Sequence, residues 1–113
     1  MIQIYHNARC GKSRCALEIL EKSGRPFEIV KYLENIPTKT ELRALLKKLR
    51  IKPLQLVRTK EPLWIENYKD KTLTDTQLIG ILVKNPILME RPIVVNGNKA
   101  IIGRPPESIV SIL

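Results

Sequence analysis

The first third of the chain carries the pattern that most narrows its fold. Ile2 to Tyr5 is a short apolar, β-branched segment closed by polar residues, which reads as a strand. From about Lys12 to Ser23, Cys15, Leu17, Ile19 and Leu20 recur at helical spacing among charges, and Gly24 supplies a stop. Phe27 to Tyr32 reads as a second strand. Strand, short turn, helix and strand make a βαβ unit, whose right-handed crossover sets the two strands parallel. A chain that opens this way is committed to an α/β sheet.

The remainder divides into a helical block and a hairpin. Thr38 and Glu41 have the spacing of a capping box, and Leu42, Leu45, Leu46 and Leu49 follow on one helical face. A shorter amphipathic piece, Leu54 to Val57, ends at Arg58. Thr74 and Gln77 repeat the capping pattern before Leu78, Ile79, Ile81, Leu82 and Val83, and Asn85-Pro86 stops that helix. A helical insertion over about 37–85 is therefore expected between the second and third strands. Pro92 to Val95 reads as a strand, Asn96-Gly97-Asn98 as a tight turn and Lys99 to Ile102 as the hairpin partner. Pro105-Pro106 leads into a last helix, Glu107 to Leu113. One domain over 1–113 is expected, without repeat or linker.

Composition bounds the partners. The 113 residues are 43% apolar and 27% charged, as in a folded globular chain. No apolar run approaches the roughly 18–20 residues that span a bilayer, and the first residues lack the apolar core and cleavage site of a signal peptide. A cytoplasmic location away from membranes is expected. The net charge of +9 favours an anionic partner, and such a field steers small oxyanions as readily as nucleic acid. Tyr5, Phe27, Tyr32, Trp64 and Tyr68 are not interleaved with the basic residues as a stacking surface requires, which counts against nucleic acid. With two cysteines and one histidine, neither a disulfide scaffold nor a four-ligand zinc site is expected.

The chemistry then centres on Cys10, within His6-Asn7-Ala8-Arg9-Cys10-Gly11-Lys12-Ser13-Arg14. It ends the strand-to-helix turn and stands at or just before the helix start, where free backbone N–H groups and the helix dipole favour thiolate. Arg9, Lys12 and Arg14 add charge of the same effect. Those N–H groups also suit an oxyanion beside the sulfur. A free cysteine is commonly a small buried hydrophobe, but the polar neighbours of Cys10 argue against that use. Cys15 falls among Leu17, Ile19 and Leu20, so it is expected in the core and slow to alkylate.

Six further positions qualify as site residues. His6 reads as a general base, an orienting donor or a plain loop histidine. Ser13 takes the place of the second cysteine in a Cys-x-x-Cys pattern, as a helix-cap hydroxyl, a donor to the thiolate, or both. Arg58, Arg91 and Arg104 stand beside chain reversals, and arginine suits forked recognition of oxyanions. Pro92, opening a strand, is a candidate for a cis peptide bond.

These residues resemble a known family. The segment from His6 to Arg14 is similar to the active-site segment of the glutaredoxin-type arsenate reductases. Tyr32-Leu33-Glu34-Asn35 with Pro37-Thr38, Pro86-Ile87-Leu88 with Arg91 to Val95, and Gly103-Arg104-Pro105 resemble its later motifs in the right order. The resemblance implies a thioredoxin-like fold, a four-stranded mixed sheet flanked by helices, with a helical insertion. It implies that Cys10 attacks arsenate to form a thiol–arsenate adduct, with glutathione and glutaredoxin supplying electrons and no metal or bound organic cofactor. His6, Ser13 and Lys12 would favour the thiolate, Arg58, Arg91 and Arg104 would bind the oxyanion, and Arg91-Pro92 would be the cis-proline step. Ala8 stands where many members have proline, and the chain stops at Leu113 without the extension of the longer reductases. Two other readings remain: a monothiol glutaredoxin-like oxidoreductase acting on glutathione mixed disulfides, and an Spx-type regulator binding RNA polymerase. Ser13 counts against the latter, which commonly carries Cys-x-x-Cys.

Overall fold

A computed structural model describes residues 1–113, which divide into two compact units: Met1–Asn35 with Arg91–Leu113, and Ile36–Glu90.

The first unit is built on β1 (Ile2–Tyr5), α1 (Gly11–Ser23), β2 (Phe27–Val30), β3 (Ile93–Asn96) and β4 (Lys99–Ile102). The strands form one sheet in the order β2-β1-β3-β4. β1 runs parallel to β2 and antiparallel to β3, and β3 runs antiparallel to β4. This is the mixed sheet of a thioredoxin-like fold. Gly97, at φ 63°, takes the left-handed position of the two-residue β3–β4 turn, which a side chain would disfavour. Ile2 and Ile4 point to one face by strand alternation and pack with Ala16, Leu20, Val94 and Ile109.

In α1 the buried positions are Ser13, Ala16 and Leu20, with Leu17 and Ile19 partly buried against the core. Cys15 is exposed, contrary to its expected core position. Each helical residue turns about 100°, so a stripe that begins at Ser13 and continues through Ala16 and Leu20 leaves Cys15 on the solvent side. The last segment also differs from expectation, since Pro106–Ile112 is a 3₁₀ helix. Its serine hydroxyls bond nearby carbonyls, Ser108 to Pro105 at 2.7 Å and Ser111 to Ser108 at 2.8 Å, in competition with a regular α-helical ladder.

The second unit contains α2 (Lys39–Leu49), a 3₁₀ turn at Pro53–Leu56, α3 (Pro62–Asn67), α4 (Asp75–Lys84) and a 3₁₀ turn at Pro86–Leu88. Both capping boxes form, Thr38 with Glu41 and Thr74 with Gln77. α3 was not anticipated; it is only six residues long, with Pro62 in its first turn. Leu42, Leu45, Leu56, Trp64, Leu78 and Leu82 are buried. A short antiparallel ladder closes the unit: Arg58 N–H donates to Leu88 and Glu90 N–H to Leu56, both at 2.7 Å, around a Val57–Met89 bridge. No helix is long and apolar enough to cross a membrane.

Gly103 is held by close packing rather than by an unusual dihedral. A Cβ there would lie 2.8 Å from Pro92 Cγ and 3.2 Å from Ile109 Cγ2. The proline ring has little room to yield. Gly103→Ala is therefore expected to destabilise the protein by about 1–3 kcal/mol, the usual cost of overpacking. A urea denaturation midpoint equal to that of the parent would contradict this.

Candidate active site

The pairing register decides which loops meet. Tyr5, the last residue of β1, lies opposite Val30 at the end of β2 and opposite Ile93 at the start of β3. Ile93 in turn lies opposite Ile102, the last residue of β4. The chain leaving β1 toward Cys10, the chain leaving β2 at Lys31, the chain entering β3 through Arg91-Pro92 and the chain leaving β4 toward Arg104 thus share one end of the sheet. Both Arg91–Pro92 and Arg104–Pro105 peptide bonds are cis; the second was not anticipated.

Cys10 is the N-cap of α1, with extended backbone (φ −97°, ψ 120°) and no side-chain capping hydrogen bond. It is 7% exposed. The sulfur therefore stands at the positive end of a 13-residue helix, beside first-turn N–H groups that have no partner within the helix. The turn before it is tied down by its own polar groups. Cys10 N–H donates to Asn7 O at 3.0 Å, Asn7 Oδ1 accepts from Arg9 N–H at 3.0 Å, and Arg14 Nη1 donates to Ala8 O at 2.9 Å.

Ser13 has a different role from either expected one. It is fully buried (0% exposed), caps no helix end and makes no hydrogen bond to Cys10. Its Oγ accepts from Asn7 N–H at 3.1 Å and lies 2.6 Å from His6 Nδ1. The hydroxyl proton then has one acceptor, Nδ1, so the network assigns a neutral imidazole with its proton on Nε2. Any influence of Ser13 on the sulfur passes through the shape of this turn. Burial first, and then the positive charges of Arg14 and Lys31, hold His6 below its ordinary value near 6.5. A backbone hydrogen bond at Ser13 opposes this more weakly. Lys12 is exposed and forms no ion pair, so it contributes only a screened charge.

The three arginines differ in their partners. Arg91 has Nε and Nη1 buried without any hydrogen-bond partner. Arg104 Nε donates to the Arg91 carbonyl at 2.9 Å, which joins these two residues. Arg58 belongs to the other unit and lies between two carboxylates, Glu61 at 3.1 Å and Glu90 at 3.5 Å. A cavity of about 330 Å³ opens beside the turn, lined by His6, Asn7, Ala8, Arg9, Lys31, Leu33 and Glu34. No three His, Cys, Asp or Glu residues are grouped to hold a metal ion. Sequence reasoning missed the parts played by Asn7, Arg14 and Lys31. The Asn-x-Arg spacing was a readable Asx-turn signal, whereas Arg14 and Lys31 become neighbours of His6 only through the fold.

Known proteins resemble this chain over nearly its whole length. The model of the ArsC family matches residues 5–112. The uncharacterized protein YfgD of Escherichia coli K12 is 47% identical, across 99% of this chain and 96% of that one. An arsenate reductase of Neisseria meningitidis serogroup A is 40% identical, across 99% of this chain and 97% of its own length. The solved structure of an arsenate reductase from Vibrio cholerae superposes with a TM-score of 0.95 at 41% identity, covering 99% of this chain and 97% of that one.

His6 is the only histidine, so its ring protons give an unambiguous titration. Its midpoint is expected below 6.5 and should rise in Arg14→Gln and in Lys31→Gln. The unfolded chain binds this proton more readily than the folded one, so stability should increase with pH up to about 6.5 and be lost as pH falls through the folded value. An NMR midpoint at or above 6.5 would refute this account of the site.

Proposed function

The chain belongs to the ArsC family, and from that premise we propose how its own residues carry out arsenate reduction through Cys10. The observation that supports this best is that an N-cap cysteine and Arg91, whose Nε and Nη1 are buried without partners, stand on chain segments that reach the same end of the sheet. Buried donors are rarely left unsatisfied in a folded protein. An oxyanion on one edge of the guanidinium would satisfy one of them, in a fork shared with Nη2. Arg104, tied to the Arg91 carbonyl, adds charge beside it. The free N–H groups of the first turn of α1 would take a further oxygen.

In the first step the Cys10 thiolate forms an S–As bond and one arsenate oxygen leaves as water, taking up protons. A glutathione thiolate then attacks the Cys10 sulfur. The S–As electron pair goes to arsenic, which passes from As(V) to As(III) and leaves as arsenite. Cys10 and glutathione remain joined as a mixed disulfide. The thiol of glutaredoxin attacks the glutathione sulfur and returns Cys10 as a thiolate. Each sulfur thereby gives up one electron of the pair. The electrons come from thiols throughout, with no bound organic cofactor or metal, in the reducing cytoplasm where glutathione is held reduced.

His6, neutral and fixed by Ser13, holds the turn that presents Cys10. Lys12 adds a screened positive charge near the turn, of a sign that attracts an oxyanion. Arg58 is already paired with Glu61 and Glu90 within its own unit, so any oxyanion contact it makes is expected to be weaker than that of an uncompensated arginine. The Neisseria relative, matched over 97% of its own length, carries the name arsenate reductase without a long extension.

Two expected outcomes follow for arsenite production with arsenate, glutathione and glutaredoxin. Cys10→Ser should abolish turnover, whereas Cys15→Ser should retain it, because Cys15 faces solvent off the active turn. Persistent turnover in Cys10→Ser would sink the proposal. Arg91→Ala should lower kcat/KM for arsenate by roughly 10–100-fold, the loss of one to two charge-assisted hydrogen bonds. An Arg91→Ala enzyme with unchanged kcat/KM would remove the guanidinium from the site.

A further inference from the structure

The Ile36–Glu90 unit holds a second cavity, larger than the one lined by His6 to Arg9, at about 490 Å³. Its volume is that of a small-molecule site. Trp64 and Leu78, both buried, close its floor, and Leu73 adjoins them. Leu54 and Ile65 flank the mouth with nearly half of each side chain in water, 49% and 46% exposed. The polar part of the lining is Thr59 and three lysines, Lys60, Lys69 and Lys71, with no carboxylate among them. None of the three lysines makes an ion pair.

The wall is firmly placed. Trp64 packs on Tyr68, with ring centroids 5.6 Å apart, and Lys71 Nζ lies 5.7 Å from the Tyr68 ring. Backbone bonds from Lys69 N–H to Trp64 O and from Lys71 N–H to Tyr68 O, both at 3.0 Å, fold the lysine segment against α3. An apolar interior under uncompensated cations selects for two properties together: a body that leaves water, and a negative head that stays at the lysines.

We infer that this cavity binds a small amphipathic anion, an apolar body with one terminal carboxylate or phosphate, independently of the Cys10 site. A closed floor and a single-ligand volume favour a small molecule over a peptide laid across the surface. The lack of any lining carboxylate sets the sign of the head group.

Trp64 is the only tryptophan, so its emission reports on the cavity directly. Decanoate, titrated into the full chain at low salt, should shift that emission saturably. The uncharged 1-decanol should bind at least about fivefold more weakly, as exposed pairings of this kind are individually modest. Lys69→Gln/Lys71→Gln should weaken decanoate by a similar factor and leave decanol unchanged. Its circular dichroism and its arsenate turnover should match the parent. No saturable shift with decanoate would overturn the inference, as would equal affinity for decanol or for the double variant. A leucine-bearing acidic peptide that displaces decanoate with higher affinity would identify a peptide site and overturn it. So would a Trp64 shift produced by raising protein concentration alone, which would mark a contact between copies.

Discussion

β1 has a parallel neighbour on one side and an antiparallel neighbour on the other, and the chemistry of the first unit depends on that placement. The parallel pairing with β2 requires a crossover, which α1 supplies, and so a helix N-terminus must follow β1 at once. The antiparallel pairing with β3 requires the chain to enter β3 at the same end. A cysteine at the helix start and an arginine before β3 are thereby brought to one end of the sheet. A register slip of one residue would turn Ile2 and Ile4 out of the core, so the apolar contacts hold the register and the register holds the site.

Between β1 and α1 there are few residues, and their polar groups bond mainly to one another. The buried Ser13 hydroxyl joins the His6 ring to the Asn7 backbone, and the Asn7 carbonyl in turn receives Cys10 N–H. A hydroxyl buried without partners would be costly; with both partners made it fixes one shape for the turn. A second cysteine at this position would offer a weaker donor and a larger atom in a fully buried place. In the proposed reaction Cys10 would be resolved by an external thiol, because the one other cysteine, Cys15, lies on the exposed side of α1.

Legibility in the sequence followed how local each determinant was. The capping boxes of α2 and α4, the βαβ opening and the hairpin are set by residues a few positions apart, and all were readable. Cys15 was misplaced for a physical reason. With Ser13 taken as a surface cap, the buried stripe of α1 was read from Leu17, Ile19 and Leu20, which draws Cys15 inward. Once the serine is known to be the buried end of the stripe, Cys15 must face out. α3 went unread because six residues give too little periodicity, and the glycine-free stretch around Trp64 carries only Pro62 as a start signal. The arginine partners were unreadable for another reason: whether a guanidinium is compensated depends on carboxylates and carbonyls delivered by tertiary pairing.

That last distinction bears on how a chain with a net charge of +9 makes a selective anion site. Most of its cations are exposed, so salt screens them and they confer attraction without discrimination. Arg58 is compensated by Glu61 and Glu90, and an anion would have to compete with both. Arg91 alone of the three has buried guanidinium donors without protein partners. Its peptide carbonyl is already engaged by Arg104, so the backbone that carries it is restrained. In the proposed site, selectivity would rest on a donor that has lost water and gained no protein partner, since such a group gains a full hydrogen bond from an anion that reaches it.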